Sequence, residues 1–507
     1  MPQGEATHPS ADERAAQGKA LREIAPRASH AEWKPYKGRR DPVELTLASD
    51  EGRIEELVPI RHGRMSASPF AFFRGSAALM AADLARTPTS GIRVQACGDA
   101  HLMNFGGFAT PERNVIFDIN DFDETLPAPF EWDLKRLAAS AVIAAQHLAL
   151  RSSDAARVAM GVAREYRASM RAYATMRARD VWYDRIDLQR YRDRGGDPKR
   201  VASVRAASAK LIKEAKRRAA PEHQLPKLVS RKGATLTIKD APPRIYHPTA
   251  ETAPGMKFGY AETIAAYREA LPANVRILFD RFQFRDLATK VVGVGSVGTQ
   301  CYVALFMAAE DDPLFLQIKE ARRSVLEPYA GNSVHSNQGQ RVVEGQRLMQ
   351  SASDVFLGWA RGTNKRDFYL RQPMDMKVSA TLEEMDAKML HQYSRMCAHA
   401  LALAHARAGD AAMIAGYLGS GSAFDDAIGE FAFEYAGQNA ADYRSFITAI
   451  REGRVKARID SQANVPIFRI AICSSFSPTG KTSSRPQCAK RGVNNVVKSG
   501  LLLSPTG

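Results

Sequence analysis

Residues 97–124 constrain the fold and the chemistry of this chain more than any other stretch. They read Cys-Gly-Asp-Ala-His-Leu-Met-Asn-Phe-Gly, then an apolar run, then Phe-Asp-Ile-Asn-Asp-Phe-Asp-Glu. Asp99 and Asn104 stand five positions apart, the spacing of a proton-accepting carboxylate and a metal-binding amide in phosphoryl-transfer loops. The apolar run at 114–118 predicts a short hairpin strand that delivers Asp121 beside this loop.

We therefore expect Asp99 to be the catalytic base, and Asn104 and Asp121 to be Mg²⁺ ligands. Magnesium takes hard oxygen ligands from one or two side chains and completes its shell with nucleotide phosphates. A structural interpretation stays open, because the acidic residues from 118 to 124 would also suit an Asx-capped turn or a calcium-like loop. The Cys and His ligands of a zinc site do not accompany them.

A second motif lies far downstream, where Gly293, Gly295 and Gly298 form a Gly-x-Gly-x-x-Gly pattern. A dinucleotide-binding fold would continue into a helix after the last glycine. Here the next segments, 301–307 and 315–319, are β-prone and predict strands. A glycine turn between strands favours a hairpin whose backbone amides fold over nucleotide phosphates.

Lys319 ends the second of these predicted strands, and we expect it to anchor the α- and β-phosphates of ATP. Glu344 lies in the helix-compatible segment 340–350 and is the candidate partner of this lysine in the catalytic apparatus. Both residues have a simpler alternative, since lysines on strands and glutamates on helices are mostly exposed to solvent.

Two further segments complete the pattern. Residues 368–372 predict a strand that ends in a hinge, and residues 382–408 predict one long helix. His405 near the end of that helix resembles a residue that precedes a catalytic loop, but no Asn follows Asp410 at the required spacing. We therefore interpret His405 as a packing residue.

The parts of a kinase site are present in an unusual order, with the catalytic loop and the metal-binding Asp before the glycine loop and the lysine. A circular permutation would explain this order, and it is tolerated when the original chain ends lie close together at the surface. The predicted fold is α+β: a circularly permuted, two-lobed protein-kinase-like fold with a helical larger lobe and a strand-rich nucleotide lobe.

The predicted divisions follow from these motifs and from composition. They are a flexible N-terminal segment at 1–45, a helical lobe with the catalytic and metal-binding loops at 46–280, a strand-rich nucleotide-binding lobe at 281–380, a helical return at 381–460 and a basic low-complexity tail at 461–507.

Composition sets wider limits. The formal net charge is +16, and a basic segment at 210–218 suggests an amphipathic helix. Such a charge could attract polyanions, although a solvated helix face is the better explanation of the segment, so nucleic-acid binding is possible but not favoured. The five cysteines have no metal or disulfide spacing, and no segment is apolar enough for a membrane span or secretory signal. We expect a cytoplasmic protein.

Several runs carry a family resemblance. They are Ser68–Gly75, Gly98–Gly106, Asn120–Glu124 and Glu131–Leu137. Together they resemble the bacterial family labelled domain of unknown function 2252 over about residues 50 to 450. Residues 98–104 also resemble the His-Gly-Asp-x-His-x-x-Asn loop of aminoglycoside and small-molecule phosphotransferases, with Cys97 in place of the first His. That resemblance implies that Asp133 steadies the catalytic loop.

The predicted function is transfer of the γ-phosphoryl group of ATP, with Mg²⁺, to a small-molecule or protein acceptor that the sequence does not identify. Alternatives are a nucleotide-binding pseudokinase, an adenylyl transferase, a metal-dependent phosphohydrolase and a basic nucleic-acid-binding protein. Arg74 has two interpretations of equal weight: it binds a phosphate, or it braces Asp99 or Asp121 through a bidentate pair.

Overall fold

The computed structural model describes most of the chain up to residue 458. The described residues are 9–191, 198–199, 201–202, 205–206, 209, 212–213, 229–232, 235–242, 244–247, 259–291, 293–309, 312–373 and 381–458. Most of the basic segment 210–218 and the whole predicted tail 461–507 lie outside these residues.

Helices and strands are mixed along the chain, which confirms the α+β class. The helices are α1 (Ala11–Ala20), α2 (Pro42–Ala48), α3 (Val58–Met65), α4 (Pro69–Gly75), α5 (Ala77–Leu84), α6 (Phe130–His147), α7 (Ser152–Ala174), α8 (Ala178–Tyr183), α9 (Tyr260–Ala270), α10 (Ala273–Phe279), α11 (Glu327–Ala330), α12 (Gln338–Met349), α13 (Ala387–Ala408), α14 (Ala411–Leu418) and α15 (Ala423–Arg451). Short 3-10 turns occupy Arg27–Ala31, Glu55–Leu57, Leu102–Asn104 and Leu382–Glu384.

The strands form several separate sheets. They are β1 (Arg93–Ala96), β2 (Phe105–Ala109), β3 (Val115–Ile119), β4 (Leu126–Pro129), β5 (Ile186–Asp187), β6 (Val229–Lys232), β7 (Thr235–Ile238), β8 (Ile245–Tyr246), β9 (Gln283–Lys290), β10 (Cys301–Ala309), β11 (Asp312–Ala321), β12 (Gly358–Arg361) and β13 (Asp367–Arg371). The largest sheet is antiparallel with the order β12-β13-β11-β10-β9-β8, while β1 pairs with β4, β2-β3-β5 form a second sheet and β6 pairs with β7.

The large sheet has its own apolar core. Inward-facing residues of β10 and β11, including Ala304 and Leu316, pack against Tyr267 of α9 and Phe279 of α10. Strand β11 is buried on both faces from Leu314 to Ala321, and Lys319, on the face opposite to Leu316, is 3% exposed. The sheet thus begins at β8, and the helices α9 and α10 pack against it. All three elements precede residue 281, where the sequence predicted the nucleotide lobe to start.

A second, larger core is helical. Every residue of α6 from Phe130 to Ala145 is buried, because α7, α13 and α15 surround this helix. Helix α13 starts at Ala387 rather than at Leu382, since Asp386 caps it by accepting a hydrogen bond from the Met389 amide. Helix α6 also contacts β1, β4 and the 3-10 turn at Leu102–Asn104, so this core lies directly under the loop at residues 97–104.

The N-terminal segment, which the sequence predicted to be flexible over 1–45, contains helices that pack on the rest of the chain. Among its described residues, Ser10 forms a capping box with Glu13, and α1 packs closely on α14. Glycines allow this close approach: a side-chain carbon at Gly18 would lie 1.9 Å from the Met413 carbonyl oxygen. Arg39 further joins the segment to the helical core through Asp83 and Asp442, at 2.8 and 2.7 Å.

In the described part of the chain, the helices that are long enough to cross a membrane are all too polar to do so.

Candidate active site

The loop between β1 and β2 is held from below by α6. The Asp133 carboxylate accepts hydrogen bonds from the backbone amides of Cys97 and Gly98, at 2.7 and 3.0 Å. Gly98 has a φ of +80°, and a side-chain carbon there would lie 2.5 Å from the Glu124 carbonyl oxygen. Only glycine fits both the backbone angle and the close contact. Asp133 thus holds the backbone of this loop at two consecutive residues.

His405 contacts the same anchor. Its Nε2 lies 3.2 Å from Asp133 and its Nδ1 lies 2.8 Å from the Tyr166 hydroxyl, and the side chain is fully buried. The two ring nitrogens are therefore both engaged by structural partners. These contacts agree with the interpretation of His405 as a packing residue, and they add a role in supporting the loop from α13.

Asp99 and Asn104 meet at the surface of this loop. The Asn104 amide nitrogen donates to the Asp99 carbonyl oxygen at 2.8 Å, which leaves the amide oxygen of Asn104 as an acceptor for another group. Arg136 of α6 contacts the Asp99 carboxylate, with Nη2 at 2.5 Å. The Asp99 side chain nevertheless stays 20% exposed, so one side of the carboxylate can reach a substrate.

Arg136 is a residue that the sequence interpretation missed. It lies one helical turn after Asp133, so the same face of α6 holds both the backbone and the carboxylate of the loop. Its guanidinium also donates to the Phe73 carbonyl oxygen at 3.1 Å and covers the Phe73 ring. Arg136 therefore braces Asp99, and in the described residues no hydrogen bond or ion pair joins Arg74 to Asp99.

Asp121 and Asp123 lie on the turn that joins β3 to β4. The Asp123 amide donates to the Asp121 carboxylate at 3.2 Å. Burial, together with the adjacent Asp123 carboxylate, raises the pKa of Asp121. Asp123 behaves oppositely: burial disfavours its charge, but Lys319, Tyr369 and Arg371 together outweigh burial and lower the pKa of Asp123. The turn thus carries one carboxylate that is already neutralised by a cation and one that is not.

Lys319 connects this turn to the large sheet. Its Nζ lies 2.9 Å from the Asp123 carboxylate, although the two residues are 196 positions apart in the chain. Tyr369 is the cross-strand partner of Lys319 in the β11–β13 pair, and its hydroxyl donates to the same carboxylate at 2.5 Å. Burial opposes the lysine charge, but Asp123, Tyr369 and Asp121 hold the pKa of Lys319 well above its usual range.

Glu344 is not the partner of Lys319, contrary to the prediction. It pairs with Arg347 at 3.4 Å on the same helix, and its side chain is 38% exposed. The residue of α12 that faces the site is Arg341, which donates to the carbonyl oxygens of Asp123 and Thr125.

Gly345 explains why Arg341, and not Glu344, faces the site. A side-chain carbon at this position would lie 2.5 Å from Thr125, so the glycine lets α12 approach the acidic turn closely. With that face of the helix against the turn, Arg341 is 2% exposed and reaches the loop carbonyls, whereas Glu344 lies at the edge.

The glycine motif lies beside the same acidic turn. Gly293 and Gly298 have φ values of +68° and +86°, which explains why glycines stand there. Ser296 between them brings its hydroxyl to 3.4 Å from Asp123. Residues 294–299 form turns between β9 and β10, as the sequence predicted for a loop between strands.

A cavity of about 350 Å³ brings these parts together, within the size range of small-molecule sites. Its lining includes acidic and amide side chains, the glycine loop and a set of arginines: Asp99, Asn104, Asp121, Asp123, Glu124, Gly293, Gly295, Ser296, Arg40, Arg53, Arg61, Arg74, Arg322 and Arg323. The predicted base, both predicted metal ligands and two of the three motif glycines thus share one cavity.

Two other titratable groups line the cavity. Burial lowers the pKa of His101 to about 3, so this imidazole is neutral at physiological pH and its Nδ1 has no hydrogen-bond partner among the described residues. Burial raises the pKa of Glu124 to about 7, although its carboxylate accepts a hydrogen bond from the Val325 amide at 2.7 Å.

Asp118 belongs to the acidic stretch in sequence but not to the cavity lining. Its carboxylate accepts hydrogen bonds from the Ser351 amide and hydroxyl at 2.9 and 2.6 Å. The side chain is 2% exposed and has a structural role between β3 and the segment after α12.

The site can be tested for its fit to a divalent cation. No group of three or more His, Cys, Asp or Glu side chains in the described residues is arranged to hold a metal ion. Mg²⁺ needs fewer protein ligands when phosphates supply the remainder. The Asn104 amide oxygen and the Asp121 carboxylate are hard donors in one cavity. Within the described part of the chain, Asp121 forms no ion pair like that of Asp123 with Lys319, although the charges of Lys319 and Arg371 act on it. These two residues fit the requirement.

Comparison with known proteins gives one result. The sequence profile of a family described as "Uncharacterized protein conserved in bacteria (DUF2252)" matches residues 53–449. The chain therefore belongs to this family. Neither the curated proteins nor the solved structures include a match to it.

Proposed function

We propose that this member of an uncharacterized bacterial family is a kinase-like phosphotransferase that moves the γ-phosphoryl group of ATP to a hydroxyl group of an acceptor. The observation that carries the proposal is the contact of Lys319 with Asp123, at 2.9 Å, beside Asp99 and Asn104. Two glycines of the downstream motif line the same cavity as Asp99, Asn104 and Asp121, and Lys319, which does not line the cavity, reaches its wall through Asp123.

The arrangement of the sheet supports the same function. The glycine loop connects the adjacent antiparallel strands β9 and β10, the lysine lies on the next strand, and helix α12 follows. This is the order of the glycine loop, phosphate-binding lysine and helix in protein kinases. In our proposal, the chain is a circular permutation of that fold, because the catalytic loop precedes these strands.

Each side chain has a role in the proposed reaction. Arg136 orients Asp99, which accepts the proton of the acceptor hydroxyl. The acceptor oxygen forms a bond to the γ-phosphorus, and the bond from that phosphorus to the β–γ bridging oxygen breaks, so ADP leaves. Lys319 and the amides of the glycine loop offset the phosphate charge.

Asn104 and Asp121 would hold Mg²⁺, which neutralises charge on the phosphates when bound. Lys319 is engaged by Asp123, and ATP phosphates would compete for the lysine in this proposal. Two of the carboxylates at 120–124 serve this exchange, Asp123 for the lysine and Asp121 for the ion.

A nucleotide-binding pseudokinase is the second candidate. It is favoured by one observation: α12 supplies no acidic partner to Lys319, since Glu344 pairs with Arg347 instead. Such a protein would bind ATP without transferring a phosphoryl group.

Radiolabelled ATP separates these functions. The wild type and Asp99→Asn are incubated with Mg²⁺, a bacterial small-molecule extract and ATP labelled at either the γ- or the α-phosphate. We expect γ-label on an acceptor, and a loss of about 10²- to 10⁴-fold in Asp99→Asn. Asp280→Asn, a change at an exposed carboxylate outside the cavity, is the matched control and should keep full activity.

Transfer of the α-label would indicate adenylyl transfer instead. ATP binding without transfer of either label would favour the pseudokinase. Release of free phosphate that persists in Lys319→Met would favour a metal-dependent phosphohydrolase.

A further inference from the structure

The cavity has a basic side that the proposed transfer does not use. Most of its arginines have structural partners within the fold. These contacts join Arg53 to the Val297 carbonyl oxygen, Arg61 to Asp50, Arg322 to the Ser49 carbonyl oxygen and Arg323 to Glu327. Arg74 and Arg40 differ, because no hydrogen bond or ion pair links either side chain to another described residue.

Arg74 is the more informative of the two. It lies in the last turn of α4, and its Nε is buried without a hydrogen-bond partner in the described residues. Its backbone carbonyl oxygen lies 3.6 Å from the position of a side-chain carbon on Gly295. Arg74 therefore stands between the catalytic loop and the glycine loop.

The acidic groups around Arg74 do not fully compensate for the burial of its positive charge. Burial lowers the pKa of this guanidinium, and the charges of Asp99 and Glu383 only partly offset that effect. Asp99 already has an ion pair with Arg136, so it is not a free partner. A guanidinium stays protonated and presents a planar set of donors that matches a carboxylate or a phosphate. Leaving such buried donors unused is costly.

We infer that Arg74 binds an anionic group, a carboxylate or a phosphate, of the phosphoryl acceptor and so holds the acceptor hydroxyl beside Asp99. Arg40, which is exposed and lines the same cavity, adds positive charge where the acceptor enters. This inference rests on the proposed phosphotransferase function and specifies its substrate class. The acceptor is a small hydroxylated anion rather than a neutral compound.

The test uses inorganic phosphate as the probe. Phosphate is titrated by calorimetry into the whole protein, both alone and saturated with Mg²⁺ and a non-hydrolysable ATP analogue. The analogue fills the nucleotide site, so phosphate then reports on the acceptor side. We expect binding to the saturated wild type, and about ten- to hundredfold weaker binding to Arg74→Met. Affinity for the analogue should be unchanged.

Two further variants separate a loss of phosphate binding from a loss of folding. Arg40→Met changes an exposed side chain that has no hydrogen-bond partner among the residues the structure describes, and it should weaken phosphate binding severalfold without lowering the melting temperature. Arg285→Met changes an exposed arginine of β9 outside the cavity and should bind phosphate as the wild type does.

The outcomes are distinguishable. If Arg74→Met weakens binding of the analogue, Arg74 contacts the nucleotide and the inference is overturned. Absence of phosphate binding to the saturated wild type, or binding that ignores both Arg74→Met and Arg40→Met, also overturns it. Failure of the analogue to bind the wild type contradicts the proposed function instead, and the titration without nucleotide still reports whether the arginines form an anion site.

Discussion

The Lys319–Asp123 pair joins the large sheet to the acidic turn, and its coupling energy can be measured. Lys319 is 3% exposed and its Nζ lies 2.9 Å from the Asp123 carboxylate. The pKa of Asp123 is lowered and that of Lys319 is raised, so both groups are charged at neutral pH. The contribution of Asp123 disappears only as pH falls through its folded pKa, and that of Lys319 only as pH rises through its own.

Breaking a buried pair from one side leaves an uncompensated charge. Lys319→Met leaves two carboxylates, Asp121 and Asp123, in a half-buried turn. Because the Asp123 side chain is 27% exposed, we expect the free energy of unfolding to fall by about 3 kcal/mol, the low end of the range for breaking a buried pair. The double variant with Asp123→Asn leaves neither charge unpaired and should cost much less than the two single changes combined. The expected coupling energy is about 2 to 3 kcal/mol.

Urea unfolding of the wild type, both single variants and the double variant at pH 7 measures this energy, provided that the dependence on urea concentration is the same in all four. The exposed pair of Arg268 and Asp280, at 2.6 Å, is a matched control. Solvent screens that pair, so its coupling should be far weaker. Additivity within about 0.5 kcal/mol at the buried pair, or equal coupling at both pairs, would refute the reasoning.

Three further predictions concern the loop and the turn. Asp133→Asn removes a charged acceptor from two loop amides and should lower the free energy of unfolding by about 1.5 to 3 kcal/mol in urea denaturation; no change would mean that the loop is held otherwise. Gly98→Ala should cost more than Gly91→Ala, because both glycines have positive φ but only the first would meet another backbone; equal losses in melting temperature would contradict the predicted clash. The pKa of Glu124 is raised to about 7, from 4.5, so the folded state binds more protons in this window and its stability falls as pH rises through it. Relative to Glu124→Gln, the wild type should lose about 3 kcal/mol between pH 4.5 and pH 8, and parallel stability curves for the two proteins would count against a buried Glu124.

Part of the secondary structure around the site was predictable from the sequence. Apolar and β-prone runs predicted β3, β10 and β11, and a helix-compatible segment at 340–350 predicted α12, whereas α6 beneath the loop was not predicted. The role of Asp133 followed from the phosphotransferase resemblance, and the backbone contacts to Cys97 and Gly98 agree with it. These features depend on local sequence or on a motif of fixed spacing.

The partners of the charged residues were not predictable in the same way. Asp121 and Asp123 flank one phenylalanine, and only the tertiary approach of β11 determines which of them meets Lys319. Arg341 and Glu344 are also nearly equivalent in sequence, one helical turn apart. The choice between them depends on a close helix contact at Gly345, which the sequence shows only as a helix-weakening residue.

The order of the motifs along the chain could not predict the contact between Lys319 and the acidic turn. A chain can place a lysine and an acidic turn 196 positions apart without bringing them together. Their contact is a property of the packed fold, because it needs β11 in the centre of the large sheet and α12 against the acidic turn.

Calorimetric titration of ATP with Mg²⁺ into the wild type, Lys319→Met and Asp121→Asn tests most directly the proposal that these residues share one nucleotide site. Asp121→Asn removes a carboxyl whose pKa burial already raises, so the fold should tolerate it. Asp280→Asn serves as the control at an exposed carboxylate. The account predicts Mg²⁺-dependent binding that both site variants greatly weaken and the control preserves. A wild type that does not bind ATP, or binding indifferent to both site changes, would contradict it.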